Sequence, residues 1–432
     1  MHNYRQIIGT LNFWIFLCLV ASLPFTHAVI RPLWVIWLIS WALELRWICK
    51  PQPIGPRLRQ LVPVMAVALW VGWEVCSVLW SADPAATWGT FGRHINLLAV
   101  LIICIFGVNE QYKASVILRT LIVSSVLSVG VYLLMHYWID NAEAALSDEI
   151  QPSRSLDWVH LEELTYWIKH RLYYATMLTL SLIGVVFLLP EHIRAHGRWQ
   201  AVTLSVLASL VLLAGIWWSS SRMSMVNVVV LAGLWAVIRT PGWKKLLLAV
   251  AFVSLASVFA WVLVVHTPHS YMRPGEEFEF SPKEILAFSP EQEEPSFEPR
   301  IAIWHTVFES PSDYLAHGIG AGCSKGYLTE KYRAHGWIRF ADRAYSPHNQ
   351  YLTECIELGL LAGVLFLLLW LFLPFCYQGR TREFALFPAV VLLLNMLTES
   401  FLDRIEGIFI VCFLLLLINR LACEESSRPT DL

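Results

Sequence analysis

The residues whose types and spacing could do chemistry are one histidine and a few arginines, each beside an apolar run. Ser346-Pro347-His348-Asn349 immediately precedes a run that begins at Tyr351. Serine suits a helix N-cap and proline the first helical position, so the pattern predicts a helix start with His348 in its first turn. A neutral imidazole there can act as a base; a histidine that only caps the helix or snorkels to the interface fits the same spacing. Asn349 could orient a hydroxyl or cap the helix. Trp217-Trp218-Ser219-Ser220-Ser221-Arg222 opens a second apolar run, and Arg222 could present a bidentate fork to phosphate oxygens or anchor in lipid headgroups. Arg300 follows Pro299 and leads Ile301, Ile303, Trp304, Val307 and Phe308 up to Pro311. That pattern predicts a short amphipathic helix lying on a membrane face, with the same two readings for its arginine.

The elements that must position these side chains follow from composition. Of 432 residues 57% are hydrophobic and 15% charged, with 21 Trp and a net charge of −2, so a soluble enzyme is excluded and no basic field invites nucleic acid. Apolar runs of membrane-spanning length recur near 8–25, 29–48, 61–80, 94–109, 116–139, 171–189, 201–218, 223–239, 246–265, 349–376, 384–400 and 405–420. The first lacks a small-residue cleavage site and reads as a retained helix. Arg46, Lys50, Arg57 and Arg59 share one loop, and Lys113/Arg119, Arg194/Arg198, Arg239/Lys244/Lys245 and Arg380/Arg382 fall in alternate loops after it. By the positive-inside rule those loops and both tails are cytoplasmic, which puts Arg222, Arg300 and His348 on the outer face. The chain divides as 1–265, nine spans with an outer loop near 140–170; 266–348, a large periplasmic loop; and 349–432, three spans and a cytoplasmic tail.

Within the large loop, Glu276 to Glu298 holds eight Glu and reads as a solvated stretch with no chemistry assigned. The rear part carries Lys325, Lys331, Arg333, Arg339 and Arg343 and could face an anion; Arg339 and Arg343 could meet phosphates of a substrate or balance the acidic front. Gly318, Gly320 and Gly322 read as a turn that folds the loop back towards the membrane. Glu354 and Glu357 stand just inside a span, where an ionisable group is a functional suspect unless a partner explains it. Gly359 and Gly363 are spaced for close helix packing. The nine Cys and the acids show no metal-ligand spacing, and there is no P-loop or other nucleotide fingerprint. A base and two arginine forks on one face suit displacement of a phosphate leaving group from a lipid carrier, with the energy supplied by the substrate.

The residues also resemble a known family, the O-antigen ligases, within the larger group of bacterial O-antigen polymerases, ligases and O-oligosaccharyltransferases. The likeness rests on Ser220-Ser221-Arg222-Met223-Ser224, on Arg300-Ile301-Ala302-Ile303-Trp304 followed by Gly318-Ile319-Gly320-Ala321-Gly322, on Ser346-Pro347-His348-Asn349-Gln350-Tyr351-Leu352 leading into Glu357-Leu358-Gly359, and on Trp80-Ser81-Ala82-Asp83-Pro84. The resemblance implies an all-α integral membrane protein of about twelve transmembrane helices with the membrane-glycosyltransferase (GT-C-like) architecture, in the bacterial inner membrane. It implies transfer of a glycan from undecaprenyl diphosphate to a hydroxyl of the lipid A core at the periplasmic face, inverting, without metal, cofactor or nucleotide. His348 would activate or position the acceptor hydroxyl and Arg222 and Arg300 would hold the diphosphate, with Asn349, Trp304, Arg339 and Arg343 as further substrate-binding residues. An O-antigen polymerase or a protein O-oligosaccharyltransferase is the nearest alternative. A transporter of lipid-linked glycans is a more distant one, because the candidate groups gather at one surface and not at the midplane.

Overall fold

The computed structural model describes residues 2–48, 54–146, 170–266 and 299–427. The acidic stretch Glu276 to Glu298 and most of the outer loop near 140–170 lie outside them. Among the described residues there is no strand, and helices follow one another along the chain: α1 His2–Ser22, α2 His27–Ile48, α3 Ile54–Cys76, α4 Pro84–Phe106, α5 Ala114–Leu146, α6 Arg171–His196, α7 Arg198–Trp218, α8 Arg222–Arg239, α9 Lys244–His266, α10 Pro299–Glu309, α11 Ser324–Ala334, α12 Ile338–Arg343, α13 Gln350–Leu358, α14 Leu360–Phe372, α15 Gly379–Thr398 and α16 Ile405–Ser426. Nine of the described helices are long and apolar enough to cross a membrane, and shorter apolar helices run over Gln6–Ser22 and Leu360–Cys376. In hydrocarbon only a helix can satisfy its own backbone, and that is what these sequences form. Leu204, Val206, Leu207 and Leu210 on α7 all stay more than half exposed, as side chains that meet lipid do. The protein is an all-α integral membrane protein.

The helices gather into two compact units. The first comprises Met1–Gly55, Ile103–Trp261 and Leu416–Leu432. Its centre is α6, with 78% of its apolar window buried, flanked by α5, α7 and α8. Backbones approach closely where Gly215 faces α5 and α6, since a Cβ there would lie 2.6 Å from Val129 and 2.8 Å from Leu178. Buried polar side chains in this unit find protein partners, as membrane interiors require: Trp37 donates to the Tyr112 hydroxyl at 2.9 Å, and Ser181 donates to Ser125 at 2.7 Å.

The second unit comprises Pro56–Ile102 and Val262–Leu415 and holds the segment expected to lie outside the membrane. Here α10 is helical as its pattern predicts, but it is not laid out as a surface helix. Ala302, Ile303 and Val307 are buried in a cluster with Leu328, Tyr332 and Trp337. Aromatic and branched side chains from α10, α11 and α12 together make this core, and each such residue contributes about 1.5–3 kcal/mol when fully buried from water. Phe308 and His305 take the exposed side.

The glycine segment docks this core onto the rest of the unit. Gly318, Gly320 and Gly322 all have positive φ, and a Cβ on them would lie 2.2 Å from the Glu357 carbonyl oxygen, 2.3 Å from Ser81 Oγ and 2.4 Å from Thr90 Oγ1. The segment threads between α13 and the corner before α4: Gly320 N donates to Glu357 O at 3.0 Å, Ala82 N to Ile319 O at 2.9 Å and Ala321 N to Ser77 Oγ at 3.0 Å.

The span expected over 349–376 is broken. Gly359, with φ of +91°, ends α13 after nine residues, and α14 packs back against it. A Cβ on Gly363 would lie 2.4 Å from Cys355 Sγ and 3.2 Å from the Tyr351 carbonyl. So α13 is a stub on the site side of the unit, and its two acids have protein partners. Trp70 and Gln350 donate to Glu354, each at 2.7 Å. Gly322 N and Ser324 Oγ donate to Glu357, each at 2.6 Å.

Candidate active site

The helix start at 346–352 forms three residues later than its sequence pattern predicts. Ser346 is not the cap and Pro347 is not the first helical residue. Asn349 caps α13, its Oδ1 accepting from Leu352 N at 3.1 Å, because Asn holds an extended N-cap backbone as well as Ser and its amide can bond twice. The second bond runs from Asn349 Nδ2 to the Leu397 carbonyl at 3.1 Å. Asn349 therefore ties the start of α13 to the end of α15.

That tie places the partner of His348. His348 stands just before the cap with φ of +46°, a left-handed conformation that costs a non-glycine residue about 1 kcal/mol or more and so has to be held by its surroundings. Its Nδ1 lies 3.4 Å from the carboxylate of Glu399, two residues beyond Leu397. The imidazole is 26% exposed and Glu399 14%, so the other ring nitrogen can meet a substrate while the carboxylate orients the ring. An acid that fixes an imidazole through one nitrogen leaves the second as a base, the arrangement general-base catalysis requires.

Two further groups hold the peptide before His348. Trp304 Nε1 donates to the Pro347 carbonyl at 2.9 Å, so the indole N–H that could have met a substrate positions the loop. Arg300 lies four residues earlier on α10, a spacing that shares a helix face with Trp304; it is half-buried. On the other side, Tyr345 packs its ring 6.1 Å from that of His348, and Arg343 Nη1 donates to the Tyr345 hydroxyl at 3.0 Å. Arg339, on the same short helix, sets its guanidinium 5.9 Å from the centre of the Phe340 ring.

The structure thus brings together His348, Asn349 and Trp304, with Arg343 linked through Tyr345 and Arg300 on the face of α10 that carries Trp304. Arg222 belongs to the first unit. There it opens α8 behind Ser221, whose Oγ lies 2.9 Å from Ser224 Oγ, and behind Ser220 at φ of +54°. Its Ser-Ser-Arg-Met-Ser pattern thus forms the helix start that it predicts.

Glu399 escaped the sequence pattern. It stands at the end of an apolar run beside Ser400, where attention to basic residues in loops passes over a lone acid. Near it Asp403 lies 3.9 Å from Lys325 Nζ. Burial pushes the Asp403 carboxyl above the usual carboxylate range, and Lys325 opposes that rise.

A family model described as O-antigen ligase matches residues 207–367. Over those residues the chain is similar to the O-antigen ligase family. No curated protein matches it. The O-antigen ligase match runs from within α7 to within α14, so it contains Arg222, Arg300, Trp304, Arg339, Arg343, His348 and Asn349, while Glu399 falls beyond it. The matched domain supports glycan transfer of the ligase or polymerase type, in the synthesis of lipopolysaccharide-related glycans.

Proposed function

We propose that the protein is an O-antigen ligase in the bacterial inner membrane, which transfers a glycan from undecaprenyl diphosphate to a hydroxyl of the lipid A core at the periplasmic face. The observation that carries this reading is the His348–Glu399 pair, held beside the Arg300 helix by the Trp304 bond to Pro347. In the proposed step the acceptor oxygen attacks the anomeric carbon while His348 takes the hydroxyl proton. The bond from that carbon to the diphosphate oxygen breaks, its electron pair leaves with the diphosphate, and a single displacement inverts the anomeric centre. Glu399 supports the imidazolium that forms.

Arg300 forks the diphosphate and stabilises the charge that develops on it. Arg222 supplies a second fork, on the strength of its motif at the start of α8. Arg339 and Arg343 face phosphates of the acceptor. Donor activation is already present in the glycosyl–diphosphate bond, whose leaving group is an intact diphosphate, so the reaction needs no nucleotide and, in this reading, no metal.

The test is transfer by the purified protein between undecaprenyl diphosphate-linked glycan and lipid A core, with chelator present and no nucleotide. Core capped by the native chain, and a loss of about 10²–10⁴-fold in His348→Ala, is the expected result, the range a positioned base contributes. Donor consumed into longer lipid-linked glycan would make the protein a polymerase. Glycan that crosses a vesicle membrane without transfer would make it a transporter.

A further inference from the structure

The turn between α15 and α16 that carries Glu399 is held by side chains whose chemistry exceeds what a connecting turn needs. Both backbone polar groups of one residue, Leu402, are gripped. Gln350 Oε1 accepts from Leu402 N at 2.7 Å, and His94 Nε2 donates to Leu402 O at 3.1 Å. Each gripping side chain is itself fixed by a carboxylate. Glu74 lies 2.8 and 2.9 Å from His94 Nδ1, and Glu354 accepts from Gln350 at 2.7 Å and from Trp70 at 2.7 Å. All five side chains are buried. Ser400 Oγ adds a bond of 2.9 Å to Thr353 Oγ1, and a Cβ on Gly407 would lie 1.9 Å from the Phe401 carbonyl oxygen, so the turn is pressed onto α16 as well.

Ionisable groups inside a membrane bundle are expensive and persist where they serve a site. Here two acids and an imidazole from α3, α4 and α13 converge, the acids through Gln350 and His94, on the backbone of a single residue three positions from Glu399. Glu399 has to stay within reach of His348, and a displacement of about 1 Å of a positioned group can lower a rate about 10²-fold.

We propose that Glu74, His94, Gln350 and Glu354 are positioning residues for the transfer reaction: by clamping the Leu402 peptide they hold the Glu399 carboxylate against His348. This rests on the reading of His348 and Glu399 given above. None of the four touches the reacting atoms. His94 is the clearest member, because its Nε2 must donate to the carbonyl and Glu74 orients its other nitrogen, the outer-shell arrangement that fixes an imidazole.

The experiment uses the full-length chain in lipid nanodiscs and compares the native protein with His94→Ala, His94→Gln and Glu399→Gln. Gln can still donate an N–H to Leu402 O, and Ala cannot. With lipid-linked donor and core acceptor, His94→Ala is expected to lower kcat by about 10–100-fold with donor KM within about 2-fold of native, and His94→Gln to recover most of kcat. A second readout needs no turnover: the rate at which diethyl pyrocarbonate carbethoxylates His348, followed by mass spectrometry. Glu399→Gln and His94→Ala are both expected to speed it to a similar extent, because each frees the ring from its carboxylate, while His94→Gln stays near native.

A folded His94→Ala protein with native kcat and native His348 reactivity overturns the proposal. So does equal loss in His94→Ala and His94→Gln accompanied by a lower melting temperature, which makes His94 only a packing residue. Should the native protein transfer nothing, the functional reading fails, and the carbethoxylation rates still decide whether the clamp governs the Glu399 contact.

Discussion

At His348 the decisive property is the company it keeps. A histidine at a span edge is ambiguous by type and spacing, and its meaning comes from Glu399, which stands two residues beyond the Leu397 carbonyl that Asn349 bonds. Sequence spacing carried the histidine and the arginines into view, since motif positions are local. It could not pair His348 with an acid 51 residues later, because such a pairing depends on how α13 and α15 pack. Glu399→Gln, nearly isosteric, is expected to keep the fold and lower kcat by about 10–100-fold; steady-state rates at saturating donor check it, and native kcat would remove Glu399 from the mechanism. Local capping rules also erred by three positions here. Ser346 and Pro347 both satisfy the preferences for a helix start, yet the Asn349 side chain has two partners to bond where Ser346 would have one.

Between residues and molecule stand the short elements that the periodicity of a span conceals. The apolar run at 349–376 contains α13, a glycine break and α14, and an apolar count does not register that break, because Gly359 is neutral to hydropathy while decisive for backbone direction. The amphipathic pattern of α10 was legible, but its partner was not: apolar spacing states that one face is buried and leaves open whether lipid or protein buries it. Here Leu328, Tyr332 and Trp337 do so. The glycine segment is the joint between these parts. Gly320→Ala puts a Cβ 2.3 Å from Ser81 Oγ at φ of +105°, and it is expected to destabilise the unit by about 1–3 kcal/mol from backbone strain, and by more from the clash. Thermal unfolding of the purified protein tests this; an unchanged midpoint would mean that the segment does not dock the core built by α10, α11 and α12. Gly326→Ala, with open space around it, is the matched control and is expected to change the midpoint little.

For the whole molecule, hydropathy alone carries the class, because a bilayer leaves a chain few ways to satisfy its backbone. Twelve spans with both tails inside predict that residues 299–348 and the α6–α7 turn face opposite sides. Ser312→Cys and His196→Cys, both at exposed positions, placed in turn in a cysteine-free background, are expected to react differently with a membrane-impermeant maleimide on intact cells: Ser312→Cys labelled, His196→Cys protected until lysis. Labelling of both from one side would refute the span count. The cluster around Trp337 has a thermodynamic consequence of its own. Transmembrane helices associate without water-driven burial, whereas the expected placement of residues 299–348 outside the membrane would have α10, α11 and α12 bury the aromatic cluster from water, and that carries a large positive heat capacity of unfolding. On that placement, the part of the protein that bears Arg300, Trp304 and Arg343 is expected to have the curved stability of a small soluble domain, with a temperature of greatest stability and weakening on either side of it. Heating should then separate two events, with glycan transfer lost first and bulk helix afterwards.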